Sequence, residues 1–235
     1  MEHEGSILYG PVNSVWHAVQ QRWAWDIPDH VIMSALVLLI SCVVFPLATR
    51  RISRDNPGPV QHLLELTVGG LKNLLHDIIG HEGDRFLYII GAFTVFIFVS
   101  NMFGLFFFLA PPTSNPNTTF ALSISAFCYY NYVGIRKQGV FRYLKHFGGP
   151  VWWLFPLFWL IEMIGNFARI LSLSMRLFGN IFGEHTATGI FMGLIPVIVP
   201  WPMMALGIFG AFLQTFVFIM LTMVYISGAI ATEEH

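Results

Sequence analysis

The chain alternates between long apolar segments and short polar ones, which predicts several membrane-spanning helices. Apolar residues dominate the segments 31–49, 86–110, 119–135, 155–195 and 202–231. A helix needs about 20 residues, with a lower limit of about 17, to cross about 30 Å of hydrocarbon. Because all of these segments reach that limit, we predict an all-α integral membrane protein with five transmembrane helices.

The segment 57–80 has a different pattern and is predicted to form an amphipathic helix. Its apolar residues recur at helical spacing, and polar residues occupy much of the remaining surface. The recurring apolar positions are Val60, Leu64, Val68, Leu71, Leu75 and Ile78. A helix with one apolar face lies on a membrane surface more readily than it crosses. A helix packed against the bundle by that face is the alternative, and it is nearly the same structure.

The segment 155–195 is too long for a simple crossing. About 40 residues of helix measure about 60 Å, roughly twice the hydrocarbon thickness. Such a helix has to tilt, curve or extend beyond the bilayer. We therefore predict that the last two helices are long and strongly tilted.

Composition supports one transmembrane domain over residues 1–235, with 1–30 as an outer N-terminal segment. The chain is 55% hydrophobic and 11% charged, with a mean hydropathy of +0.66. Soluble domains carry about 25% charged residues. Cys42 and Cys128 lie in apolar segments, so they indicate neither a disulfide framework nor a zinc site. We expect no metal, no cofactor and no nucleic-acid partner.

The distribution of cations predicts the orientation. Cations cluster after the first and third predicted spans, whereas the loops 111–118 and 196–202 have none. Cytoplasmic loops carry the excess of lysine and arginine. We therefore expect the N-terminus outside, the C-terminus in the cytoplasm, and the helix at 57–80 on the cytoplasmic face. The clustered cations are Arg50, Arg51, Arg54, Arg136, Lys137, Arg142 and Lys145.

Polar residues of the segment 155–195 share one side of the predicted helix. At 100° per residue they fall within an arc of about 120° that includes Arg176, while His185 points to the far side. They are Glu162, Asn166, Arg169, Ser172, Asn180 and Glu184. Such residues can simply face the bundle interior and bond to neighbouring helices, and Arg169 can snorkel or act in packing. The polar arc alone leaves these alternatives open.

Arg176 is harder to explain by packing. An arginine at mid-membrane costs about 2.5–3.5 kcal/mol on insertion scales. Glu162 and Glu184 are about 12–21 Å away along the helix axis, and the other predicted spans contain no internal acid. Gln214, midway along the last predicted span, is polar but neutral. We therefore predict that a partner subunit presents a carboxylate to Arg176 at mid-membrane.

The motif "SLSMRLFGN", followed by "LQTFVFIMLTMVYISGA", resembles subunit a of the F-type ATP synthase. "LLELTVGGLKNL", "FIFVSNMFGL" and "PTSNPNTTFAL" are also similar to that family. The resemblance implies an ion-translocating stator with two half-channels, which itself makes and breaks no bond of ATP. It implies a bacterial inner membrane and, as partners, a c-ring whose subunits each carry one carboxylate, a subunit b stalk and the rest of the F1Fo complex.

The resemblance also implies roles for individual residues. Arg176 would face the ring and separate the half-channels, with Gln214 on the next helix, Glu162 on the cytoplasmic side and Asn180 one turn away. The family commonly places titratable residues nine positions after the arginine and seven before the glutamine. This chain has His185 and Gly207 there, and the neighbouring acid is Glu184. The outer relay is therefore left between Glu184 and His185.

Two other functional classes compete with this reading. A self-contained transporter or channel also places charges in the membrane, but it predicts an internal repeat and a helix broken at the midplane. A purely structural membrane scaffold leaves the cost of Arg176 unexplained. The sequence does not decide between H⁺ and Na⁺ as the ion.

Overall fold

The computed structural model describes residues 28–50, 58–105, 111–139, 155–194 and 200–230, and within these ranges the chain is helical without a strand. The six α-helices are α1 (Asp29–Thr49), α2 (Pro59–Ile79), α3 (Leu87–Phe103), α4 (Pro116–Gln138), α5 (Phe155–Leu194) and α6 (Pro200–Ile230). Short 3₁₀ turns at Gly83–Phe86 and Pro112–Ser114 precede α3 and α4. The predicted all-α class is confirmed. Most of the predicted outer segment 1–30 and the end of the second predicted span, 106–110, lie outside these residues.

Local sequence explains where α4 begins and ends. The Asn115 side chain accepts a hydrogen bond from the backbone N–H of Asn117 at 2.9 Å, and Pro116 occupies the first turn. Asparagine caps and first-turn prolines are both favoured at helix starts. Gly139, with φ of 81°, ends the helix in a conformation that glycine adopts without steric cost.

Four helices of the described ranges are long and apolar enough to cross a membrane, so this is an integral membrane protein. They cover His30–Leu47, Gly83–Phe103, Pro156–Phe191 and Trp201–Ile230. Helix α4, predicted as a span at 119–135, is 23 residues long but falls outside this set. Its serine, threonine, asparagine and tyrosine residues lower its hydropathy, so the predicted count of five spans is not confirmed by length and apolarity alone.

Helices α5 and α6 are the two longest and run unbroken through 40 and 31 residues. Helix α5 therefore measures about 60 Å, as expected from the sequence. Neither helix has the midplane break that a self-contained transporter predicts.

The core lies where α3, α4, α5 and α6 meet, with α2 closing one end. Phe218 of α6 is fully buried, and its ring lies 5.8 Å from the ring of Phe93 on α3. Between helices in a bilayer, close van der Waals packing of such side chains stabilises the contact, because lipid is itself apolar. The buried cluster also contains Leu71, Leu75, Phe86, Ile90, Ile97, Ala126, Tyr130, Leu173, Leu177, Ile219, Met223, Ile226, Ala229 and Ile230.

Helix α2 packs against the bundle with part of its apolar face and leaves the rest for the membrane surface, so it combines the two alternatives that its sequence left open. Leu71 and Leu75 are buried against the bundle, and a Cβ on Gly83 would lie 2.7 Å from the Leu75 carbonyl oxygen. The 3₁₀ turn therefore approaches α2 as closely as only glycine permits. Val60 and Val68, nearer the start of the same apolar face, remain 57% and 47% exposed. The end of this face thus packs on the protein, and its beginning is free for lipid.

Polar contacts tie together the ends of α2, α4 and α6. Lys137 forms an ion pair with Glu82 at 3.0 Å, and the Ser227 hydroxyl donates to the Ile78 carbonyl at 2.9 Å. The hydrogen bond and charge of Lys137 hold the pKa of Glu82 below its usual value. These contacts place the C-terminal ends of the three helices at the same end of the bundle.

Candidate functional site

Helices α5 and α6 run antiparallel, and three contacts fix their register. The Arg169 guanidinium lies over the Tyr225 ring, Asn180 lies beside Gly210, and the Glu184 carboxyl packs against Gly207. Positions therefore fall along α6 as they rise along α5. Gln214 comes one turn after Gly210, and Arg176 one turn before Asn180, so the two side chains start at similar heights.

Arg176 is on the outer surface of the bundle. Its side chain is exposed, as are those of Leu171 and Met175, while Leu173 and Leu177 on the same helix are buried. Among the described residues none forms a hydrogen bond or an ion pair with Arg176. An arginine on an apolar helix surface of a membrane protein requires a partner from elsewhere.

Towards the N-terminus of α5, a first polar group forms around Arg169, here called the Arg169 cluster. Arg169 pairs with Glu162 at 3.7 Å between Nη2 and Oε1. The Asn166 Oδ1 atom accepts from Arg169 Nη1 at 3.3 Å and from the Tyr130 hydroxyl at 3.2 Å. The Tyr225 ring lies 5.2 Å from the guanidinium carbon. Three helices, α4, α5 and α6, thus contribute to this cluster.

Ser172 is not part of the Arg169 cluster through its side chain. Its hydroxyl donates to the Arg169 carbonyl of the same helix at 3.2 Å, and the residue is exposed. This back-bond within a helix satisfies the hydroxyl locally. Of the residues predicted near the inner half of α5, the structure therefore brings together Glu162, Asn166 and Arg169, with Ser172 beside them on the surface.

Towards the C-terminus of α5, a second group forms around Glu184, here called the Glu184 cluster. A Cβ atom built on Gly207 would fall onto the Glu184 carboxyl and 2.7 Å from Leu105 Cδ2. A Cβ on Gly210 would lie 3.3 Å from Asn180 Nδ2. The two glycines of α6 therefore leave the room in which the Glu184 and Asn180 side chains lie.

Glu184 and His185 share a small cavity of about 10 Å³. A space of this size holds about one water molecule. The residues that line it are Gly104, Leu105, Glu184, His185, Thr188, Met203 and Met204. A carboxyl, an imidazole and room for water in one place are components of a proton relay.

The structure changes the interpretation of His185. The sequence placed it on the far side of α5 from Arg176, away from the polar arc that contains Glu184. The far side faces the bundle, because Arg176 itself lies on the outer surface. His185 consequently lines the same cavity as Glu184, and its Nε2 atom is buried.

Sequence reasoning missed a polar contribution from the end of α3. Ser100 and Asn101 are 0% and 2% exposed, and the Thr113 hydroxyl donates to Asn101 Oδ1 at 3.0 Å. The available signal was the pair of adjacent polar residues inside an otherwise apolar span. Such residues face the bundle interior or a water-filled path because lipid does not satisfy them.

Several buried polar atoms of the described residues have no protein partner. They are Ser100 Oγ, Asn101 Nδ2, Asn180 Nδ2 and Gln214 Nε2. Buried polar groups are nearly always satisfied by protein or ordered water. Their grouping between α3, α5 and α6 therefore indicates a hydrated region on the Glu184 side of Arg176. The described residues contain no group of three or more potential metal ligands.

Comparison with known proteins gives a consistent result. Residues 31–227 match the model of the ATP synthase A chain family. ATP synthase subunit a 2 of Syntrophotalea carbinolica is 45% identical over 207 residues, which are 88% of this chain and 87% of that protein. ATP synthase subunit a of Geotalea uraniireducens is 41% identical, over 86% of this chain and 87% of that protein. That of Geobacter sulfurreducens is 40% identical, over 88% and 89% respectively.

Proposed function

This chain belongs to the ATP synthase A chain family, and we propose that it is the ion-translocating stator of the Fo sector in a bacterial inner membrane. In this role it faces a c-ring whose subunits each carry one carboxylate, and it assembles with a subunit b stalk and the rest of the F1Fo complex. Ion flow past this chain drives ring rotation and, through it, ATP synthesis. The transported ion is a proton, or Na⁺ if the ring site selects it.

One observation carries the proposal: Arg176 is an exposed cation on an apolar helix surface, with a polar cluster on either side of it. The Arg169 cluster lies about 10 Å away along α5, and Glu184 lies about 12 Å away in the opposite direction. A ring carboxylate facing Arg176 would supply the anion that none of the described residues provides. The fixed guanidinium would also prevent direct proton passage between the two clusters.

The Glu184 cluster is the proposed outer half-channel. A proton would pass through the hydrated region at Glu184, His185 and Asn180 and reach a ring carboxylate near Gln214. The neutral carboxyl could then turn into lipid at a far lower cost than a carboxylate. Each charge moved through a membrane potential contributes about 2.3 kcal/mol per 100 mV.

The Arg169 cluster is the proposed inner half-channel. After almost a full turn the ring carboxyl would reach the region of Glu162 and release its proton towards the cytoplasm. Arg176 favours the ionised carboxylate when it arrives, because an opposite charge nearby stabilises that form. The two clusters thus have different roles although one helix carries most of both.

We propose that five helices cross the membrane: the four long apolar helices and, in addition, α4. The polar residues of α4 do not argue against a crossing, because Thr119, Ser123 and Tyr130 are buried inside the bundle. Its exposed positions include Ile124, Tyr132 and Ile135. With the N-terminus outside, the contacts between the ends of α2, α4 and α6 lie on the cytoplasmic side.

Replacement of Arg176 tests this function. Arg176→Ala is expected to reduce ATP-driven proton pumping in inverted vesicles to background, because the ring carboxylate loses the cation that Arg176 holds opposite it. Arg176→Lys should also fail, since an ammonium lacks the planar geometry and weak hydration of guanidinium. Met175→Leu, an exposed neighbour, is the matched control. Wild-type pumping by Arg176→Ala, at equal levels of assembled complex, would exclude the proposed role.

A further inference from the structure

Arg169 makes an unusual set of contacts for a cation in a membrane helix. It pairs with Glu162 on one side, bonds to Asn166 on its own helix, and lies over the ring of Tyr225 on α6. Arginine side chains near a helix end commonly extend to the membrane interface. Arg169 instead has both terminal nitrogens and one face of its guanidinium in contact with the protein.

The pairing direction follows from helix geometry. Arg169 lies seven residues after Glu162, so the two share a face and are separated by about 10 Å along the axis. Side chains in α-helices lean towards the N-terminus, which directs the guanidinium to Glu162. The side chains of Glu162 and Arg169 are 35% and 39% exposed, so water screens their ion pair, and the pair alone does not hold either side chain in place.

Two tyrosines keep the guanidinium in this position. The Tyr225 ring supports one face of it, and Tyr130, which is 4% exposed, packs 5.7 Å from Tyr225 between ring centroids. The Tyr130 hydroxyl also bonds to the Asn166 oxygen that accepts from Arg169. Arg169 is thus anchored by α4 and α6 together, and Glu162 is held through Arg169.

We propose that Arg169 is a positioning residue: it holds the Glu162 carboxylate in place as the proton acceptor of the inner half-channel. This inference rests on the proposed function of the chain as the Fo stator. Without the guanidinium, the Glu162 side chain would be a flexible carboxylate on an exposed helix surface. The ring would then meet its acceptor in the right place for only part of the time, and proton release would slow.

A double-mutant cycle on the assembled complex tests whether Arg169 acts through Glu162. Proton pumping per assembled complex is measured for Arg169→Gln, Glu162→Gln and the double variant. Arg169→Gln is expected to lower pumping roughly 3- to 10-fold, and Glu162→Gln at least as much. The double variant should pump no more slowly than Glu162→Gln alone, because the acceptor that Arg169 positions is already lost.

Two further variants separate positioning from a general structural effect. Arg169→Lys keeps the charge but not the planar stacking on Tyr225, so it should recover part of the rate, whereas Arg169→Met, which keeps the apolar stem, should not. Lys72→Gln, which removes an ion pair with Asp84 on the surface helix, is the matched control and should pump normally.

Each outcome decides between alternatives. Wild-type pumping by Arg169→Gln, or a double variant whose loss is the product of the two single losses, would overturn the positioning role. Equal rates for Arg169→Lys and Arg169→Met would do the same. Loss of pumping in Arg176→Ala, together with any of these results, would leave the proposed stator function intact and reject only the role of Arg169.

Discussion

At the scale of single residues, the space between α5 and α6 decides where the Glu184 side chain lies. Position 207 has no side chain, and the Glu184 carboxyl occupies the room that a Cβ would take. The position of the acid on α5 therefore depends on a glycine at the facing position of α6. The sequence alone does not show that these two residues are in contact.

Gly207→Ala is expected to lower proton pumping about tenfold while leaving assembly largely unchanged. The new methyl group would displace the Glu184 carboxyl from its position in the proposed outer half-channel. Pumping by assembled complexes in vesicles measures the effect. Gly228→Ala is the matched control, because a Cβ on this glycine of the same helix meets no atom within 4 Å. Normal pumping by Gly207→Ala would show that Glu184 can work from a different position.

Glu184→Gln is expected to slow pumping strongly, by about tenfold or more, because an amide does not take up and release a proton in the physiological range. His185→Ala should also slow it, since both side chains line one cavity. His62→Ala, on an exposed histidine of α2, is the control for the histidine change. Wild-type pumping by Glu184→Gln with loss in His185→Ala would assign the relay to His185 alone.

The sequence predicted most members of the site but not their grouping. Helical periodicity placed Glu162, Asn166, Arg169 and Glu184 on one arc, because that arc depends only on 100° per residue. It did not predict the Arg169 contact with Tyr225 or the contribution of Asn101. Those contacts depend on how separate helices pack against each other, and helix packing cannot be read directly from a single sequence.

At the scale of elements, α4 is the case in which hydropathy and packing disagree. Its 23 residues are long enough to cross, but its polar residues lower the apolar signal. Several of them are buried between α5 and α6, where they do not meet lipid. Hydropathy averages over all faces of a helix, so it underestimates a span whose polar face is covered by protein.

Cysteine labelling tests whether α4 crosses. In a background with Cys42→Ser and Cys128→Ser, both exposed in the native chain, we expect Asn117→Cys to react with an impermeant reagent only from outside. Arg136→Cys should react only from the cytoplasmic side. The background variant without added cysteines is the control. Labelling of both positions from the same side would contradict the crossing and the assignment of the half-channels.

At the scale of the whole molecule, Arg176 makes this chain incomplete by itself. Its guanidinium lies on the outer surface, and among the described residues no acid pairs with it. The surrounding surface of α5 and α6 is apolar, with Phe209, Phe212 and Phe216 exposed on α6. A surface of this kind fits an apolar partner that presents one carboxylate to the arginine.

Purification in mild detergent should therefore recover this chain together with a ring of small subunits that each bear a membrane carboxylate. Arg176→Ala should still co-purify, because apolar contacts dominate the interface, but it should not pump. Mass spectrometry of the purified complex identifies the partners. A monomer that conducts protons unaided in liposomes would favour the transporter class instead.

The buried donors and acceptors without protein partners have a consequence for stability. An unsatisfied buried polar group costs about 1–3 kcal/mol. The four such amide and hydroxyl groups in the described residues would, if dry, cost an amount comparable to the whole net stability of a typical domain. Ordered internal water is then a structural component of this fold, because it supplies the hydrogen-bond partners that these groups need.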